Sequence, residues 1–196
     1  MSVILIAGAS RGIGRSIAEN YAAEGADGFR VATGLPQLEA TRDAALKHGH
    51  KVEIHAADVS DRRAVEAMMA ACIDRLGGMD VLVNNAGIMV PPLEWTEDGF
   101  ESQFGVNHLG TFALTGLLLP KLAERKKSRI VVTSSLAHKA GRINFDDLDV
   151  QKRYIAWERY AQSKLANILY ATELDRRLRT VQSRTIATCC HPGVAS

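Results

Sequence analysis

The sequence predicts a doubly wound α/β fold, a parallel sheet of about six strands with helices on both faces. Strand-length apolar runs alternate with segments of helical period along the whole chain. The first run, SVILIAG, is continuously apolar, as a strand buried on both faces must be. It breaks at a glycine-rich turn and passes straight into a helical pattern. Short strands joined through helices require right-handed parallel crossovers.

Taken in order, a helix over 13–23 follows the first strand, then a weaker strand at FRVAT and a helix over 37–47. KVEIHAAD is the third strand, and Ser60-Asp61 caps a helix reaching residue 76. MDVLVNNAG is a strand ending in a polar turn, followed by one long helix over 97–124. RIVVTSS is the fifth strand, RYAQSKLANILY lies in the next helix, and RTIATCC is the sixth strand. One local conflict stands out: Gly28 and Arg30 occupy positions in the second strand that should be apolar, as if that strand frays or starts late.

A chain of 196 residues with 46% hydrophobic content can bury one sizeable core, so residues 1–196 read as a single domain. A net charge of +2 gives no footprint for nucleic acid, and the basic run at 124–129 reads as a helix end at the surface. Cys72, Cys189 and Cys190 form no CxxC, an odd count that fits free thiols in a reducing compartment. The scattered histidines have no metal-ligand spacing, so no metal is expected. MSVILIAG begins as a strand with no charged leader, and GTFALTGLLLP is too short for a membrane span. A soluble cytoplasmic protein is the expectation.

The first strand-to-helix junction reads Ala7-Gly8-Ala9-Ser10-Arg11-Gly12-Ile13-Gly14. Glycines there let backbone N–H groups approach a pyrophosphate, and the helix N-terminus adds partial positive charge. The spacing is Gly-x-x-x-Gly-x-Gly. With Asp58-Val59, NNAG at 84–87, Asn107 in VNHLG, Ser134-Ser135, YAQSK and HPG at 191–193, this ordered set resembles the short-chain dehydrogenase/reductase family. The stretches RIVVTSSLAHKAGRINFDDL and RYAQSKLANILYATEL, with an insertion over 143–158, are similar to its retinol-dehydrogenase and protochlorophyllide-reductase-like branch. Ala7 departs from the family, which usually has Thr there; a hydrogen bond bracing the turn towards NNAG should be lost.

The resemblance implies an oxidoreductase that moves a hydride between a nicotinamide cofactor and a carbonyl or alcohol. Tyr160 would be the general acid/base. A phenol titrates near pH 10 and is a poor catalyst at neutral pH, so the Lys164 ammonium one helical turn on would stabilise its anion and also reach the ribose. Tyr154 has Glu158 at the same spacing, which would raise its pKa instead. Ser135 would hydrogen-bond the substrate oxygen, with Ser134 as the alternative. Asn107 would anchor a water leading to Lys164, or satisfy a helix kink. Gly8, Ser10, Arg11, Gly12, Ile13 and Gly14 would hold the phosphates. Asp58 and Val59 would hold the adenine, although Asp58 also suits a turn. Asn84, Ala86 and Gly87 would underlie the adenosine ribose, and Pro192 and Gly193 would flank the nicotinamide.

The second strand ends Val31-Ala32-Thr33-Gly34 without a carboxylate, and Arg11 can pair with a 2′-phosphate, so NADP(H) is expected over NAD(H). A homo-oligomer joined through the two long helices is expected. Two rivals remain: a non-catalytic or weakly active nucleotide-binding module serving as sensor or scaffold, and a structural dimerisation protein. The retained Ser135, Tyr160 and Lys164 favour the enzyme, since a binding module needs only the glycines. Family members continue past Pro-Gly with a lid, a helix and a seventh strand. A chain ending at HPGVAS is therefore expected to bind the adenosine end of the cofactor but turn over simple carbonyls slowly.

Overall fold

A computed structural model describes residues 2–59, 61–148, 150 and 152–193. Six strands, β1 (Val3–Ala7), β2 (Asp27–Ala32), β3 (Val52–Ala56), β4 (Val81–Asn84), β5 (Arg129–Thr133) and β6 (Ile186–Cys190), form one sheet. All five pairings are parallel, in the order β3-β2-β1-β4-β5-β6. The chain therefore reverses its direction of travel between β1 and β4, where an open α/β sheet parts its loops into a crevice.

Helices α1 (Gly12–Ala23), α2 (Leu35–Leu46) and α3 (Arg62–Leu76) link the first four strands. A short turn α4 (Ser102–Phe104), a π-helical turn (Gly105–Leu109) and α5 (Gly110–Ala123) lead to β5, and α6 (Ala156–Thr180) leads to β6. On one face of the sheet Leu5, Phe29, Leu82 and Ile130 pack with Met68, Leu118 and Leu178 from α3, α5 and α6. On the other, Ile4, Ile6 and Val83 pack with Ala18 and Leu38 from α1 and α2. Alternate strand residues thus feed both cores, which is why SVILIAG is apolar throughout.

The second strand neither frays nor starts late. It begins at Asp27, and Arg30 is only 1% exposed. The guanidinium lies back over Gly28, where a Cβ would fall 1.3 Å from Arg30 Nη1. Its Nη2 donates to the Ala18 carbonyl at 3.0 Å, while Nε and Nη1 find no partner among the described residues. Burial pulls this guanidinium down to about 10. Gly28 and Arg30 are one packing unit, the glycine supplying the room that the arginine fills.

The long helix expected over 97–124 is shorter and interrupted. Residues 95–101 form a turn closed by the Thr96 N–H to Phe100 carbonyl bond, with Gly99 at φ +83°. Helix begins only after Glu101, whose carboxylate accepts from the N–H groups of Gln103 and Phe104. In α3 the cap is Asp61, which accepts from the Arg63 N–H at 2.8 Å; Ser60 lies outside the described residues.

Candidate active site

The glycine loop leaves β1 with backbone packed against backbone. Gly8 has φ +76°, and a Cβ on it would lie 2.7 Å from Ala86 backbone atoms. A Cβ on Gly14 would fall 2.0 Å from the Gly8 carbonyl oxygen. The start of α1 is thereby held hard against the loop, with Arg11 exposed in extended conformation as its N-cap. The bracing lost with Thr at position 7 is recovered elsewhere: Asn85 Nδ2 donates to the Gly8 carbonyl at 3.1 Å, and its N–H to that of Ala7 at 3.3 Å. Asn85 was missed in the sequence reading, although it is the neighbour of Asn84 and points to the opposite face. Asn84 itself donates to Thr115 at 2.9 Å and lines, with Asp58, Val59 and Ala86, a cavity of about 260 Å³ at the ends of β1 and β4.

A second cavity, about 740 Å³, continues from the loop to α6. Ser135, Tyr160, Lys164, Pro192 and Gly193 all border it, and so do Ile13, expected at the phosphates, and Gly87, expected under the adenosine ribose. Tyr160 and Lys164 share one face of α6 because they are four residues apart. The Lys164 ammonium lies 5.6 Å from the Tyr160 ring centroid and donates to the Thr133 carbonyl at 3.2 Å. The side chain is 5% exposed, and burial pulls its pKa down to about 8, with Cys189 opposing the shift. Below that pH the ammonium is charged, one helical turn from Tyr160.

The two serines have different employment. Ser134 is buried and its hydroxyl donates to the Lys164 carbonyl at 2.7 Å. Ser135 is half-buried on the cavity wall; its oxygen accepts from the Ala137 N–H at 3.2 Å, capping the 3-10 turn Leu136–Ala140 and leaving its proton to donate.

Asn107 sits within the π-helical turn, fully buried. Its side chain brackets Ile88, accepting from the N–H at 2.8 Å and donating to the carbonyl at 2.9 Å, and also donates to Ser163 at 3.0 Å. The Asn107 carbonyl accepts from Asn167 Nδ2 and Thr111 Oγ1, both at 3.0 Å. Asn167 is a second residue that the sequence did not single out. A Cβ on Gly87 would meet Asn107 Oδ1 at 3.1 Å and Lys164 Nζ at 3.5 Å, so these three positions surround one point.

Tyr154 lies before α6 rather than one turn from Glu158. Its hydroxyl donates to the Pro91 carbonyl at 2.7 Å and accepts from Gln103. Its pKa is raised by burial first and then by Glu101 and Glu94, not by Glu158. Just after the 143–158 insertion, Arg159 forms a buried pair with Asp147 at 2.9 Å and donates to its carbonyl at 2.6 Å, fixing that segment to the start of α6.

A glycine cradle at the point where sheet order reverses defines a Rossmann-type dinucleotide-binding domain. The residues fit such a group in a further respect: the buried Thr133 hydroxyl, between the loop and Lys164, has no partner among the described residues. The family described as "short chain dehydrogenase" matches residues 2–196, and the chain belongs to it, in its retinol-dehydrogenase-like branch. Retinol dehydrogenase 13 of Homo sapiens is 42% identical over 98% of this chain and 58% of its own length. Retinol dehydrogenase 12 of Mus musculus is 40% identical over 98% and 61%. The chain thus spans about three fifths of the curated relatives it matches. A protein from Mycobacterium paratuberculosis, known from a crystal structure, superposes with TM-score 0.85 at 42% identity, covering 98% of this chain and 68% of that one. A metagenomic short-chain oxidoreductase in complex with NADP gives TM-score 0.79 at 26% identity, covering 99% and 83%. Among the described residues no helix is long and apolar enough to cross a membrane.

Proposed function

We propose that this chain carries an NADP(H)-dependent carbonyl reductase or alcohol dehydrogenase activity. The observation that carries the reading is the joint placement of Ser135, Tyr160 and the buried Lys164 on the wall of the cavity that begins at the glycine loop. NADP(H), when bound, supplies or accepts the hydride. Gly8, Ser10, Arg11, Gly12, Ile13 and Gly14 hold the phosphate end, Asp58, Val59, Asn84 and Ala86 the adenosine, and Gly87, Lys164, Pro192 and Gly193 the other end.

In reduction, the carbonyl carbon gains the hydride while Tyr160 gives its phenolic proton to the substrate oxygen. Ser135 donates a hydrogen bond to that oxygen as charge builds there, and the Lys164 ammonium stabilises the tyrosinate left behind. Asn107 fixes the Ile88 backbone and Ser163 beside Lys164, and the proton returns to Tyr160 from solvent in the cavity. Oxidation of an alcohol runs the same steps backwards. Arg11, exposed at the head of α1, favours the 2′-phosphate. Retinol-like alcohols and their aldehydes belong in the first substrate panel because of the relatives' names.

The test is NADPH oxidation by the purified chain against aldehydes, ketones and quinones. Carbonyl-dependent oxidation is the expected result. Tight NADPH binding without turnover of any carbonyl would favour the nucleotide-binding module instead. Self-association through α5 and α6 is part of the proposal, since Phe112 and Leu169 stand exposed on those helices; sedimentation equilibrium checks it.

A further inference from the structure

We propose that Trp157 sets the substrate preference of the cavity beside Tyr160, favouring flat aromatic carbonyl compounds over saturated ones of the same size. This rests on the carbonyl-reductase reading above. Trp157 stands in the first turn of α6, three residues before Tyr160, so the two rings share a helix face. Their centroids are 5.9 Å apart with planes inclined at 40°.

The indole is 50% exposed, and it borders the same cavity as Ser135 and Tyr160. A tryptophan carries the largest apolar payload of any side chain, so leaving half of it in water forgoes burial that a bound ligand would restore. It is not on a loose segment: two residues on, Arg159 is tied to Asp147 inside the protein. Ile88, Met89 and Leu136 also line the cavity, with Met89 and Leu136 substantially exposed, and a thioether there adapts to aromatic edges. Among the described residues the charged side chains on the lining are Lys164 and Lys139, with no carboxylate there to attract a cationic substrate. An aryl group entering with its carbonyl oxygen towards Tyr160 and Ser135 can cover the indole by offset stacking. A puckered saturated ring of equal size meets it only at hydrogen edges.

The experiment compares benzaldehyde with cyclohexanecarbaldehyde across variants, because the two differ in intrinsic reactivity within any one protein. In Trp157→Leu, KM for benzaldehyde should rise about two- to tenfold relative to KM for the saturated aldehyde, the span of an aromatic pair. Trp157→Phe should recover most of the preference. A second readout needs no turnover. The chain has two tryptophans, so in Trp95→Phe the emission reports Trp157 alone. With NADP⁺ present, unreactive benzamide should change that emission saturably and bind at least about twofold tighter than cyclohexanecarboxamide. An unchanged KM ratio in Trp157→Leu, or equal affinities for the two amides, overturns the inference while leaving carbonyl reduction intact. Discrimination between the amides without turnover of any aldehyde overturns the proposed reaction and leaves the aromatic subsite standing.

Discussion

The two ends of the cofactor groove are built on opposite principles. At Gly8 and Gly14 of the glycine loop backbone meets backbone, closer than any Cβ would permit. At the catalytic end, side chains from α6 and the segment after β5 face a cavity of about 740 Å³. In the proposed reading the first end holds the phosphates mainly through peptide groups, with Arg11 the one side chain that sets preference, and it is intolerant of volume at Gly8 and Gly14. The second, in the proposed reading, handles a variable substrate through a few placed groups on rigid elements. Rigidity differs less than adaptability, since Asn107, Ser163, Asn167 and Thr133 tie the catalytic end together beneath its surface.

Tyr160→Phe tests that contrast most severely. Turnover should fall by about 10²–10⁴, the worth of a positioned proton donor, while NADPH affinity measured by fluorescence titration stays unchanged. Loss of both together would place Tyr160 among the binding groups and blur the division. The neighbouring ammonium adds a pH signature. With Lys164 depressed to about 8, its charge is complete well below that pH and lost above it. Reductive kcat/KM should therefore decline by about tenfold per pH unit above 8, and Lys164→Ala should be low and flat across the same range. A limb that persists in the alanine variant would assign the titration to another group.

At the cradle, Arg11→Ala should narrow the preference for NADPH over NADH by one to two decades, since a charge-assisted pair contributes about 1.5–3 kcal/mol. Isothermal titration with both cofactors measures it directly, and an unmodified protein that prefers NADH removes the role given to Arg11. Smaller in free energy is Gly14→Ala. Its methyl would stand 2.0 Å from the Gly8 carbonyl, and relieving that overlap should lower stability by about 1–3 kcal/mol. Gly116→Ala, which meets nothing within 4 Å in α5, should instead raise stability by about 0.5–1 kcal/mol. Denaturant unfolding of the pair reads out the difference between a glycine that is required and one that is not.

Much of the molecule was legible from local pattern. The alternation of strands and helices, the glycine spacing and the four-residue offset between Tyr160 and Lys164 are short-range properties, and each fixes a face or a turn by itself. The parallel order followed because consecutive strands were separated by helices. Misreadings fell where a residue's role depends on something distant in the chain. The helix expected over 97–124 became a turn, an α4 cap and a π-helical turn because Glu101 supplies the cap and Asn167, 60 residues away, takes the Asn107 carbonyl. Tyr154 was set aside for a charge at helical spacing, yet what raises it is burial near Pro91 and Gln103.

Sequence alone determined the family and the candidate residues, because motif order and hydrophobic period survive without coordinates. Only the tertiary structure decided how those residues are employed. It placed both Ser134 and Ser135 on the border of the cavity, the Ser134 hydroxyl taken by the Lys164 carbonyl and that of Ser135 left to donate, and assigned the bracing of the glycine turn to Asn85. It also turned Gly28 and Arg30 from an apparent flaw into a matched pair, the side chain of one filling the space left by the other. The physical reason is common to all three. Hydrogen-bond saturation and excluded volume are set by neighbours brought close in space, and a linear sequence specifies those neighbours only once it has folded.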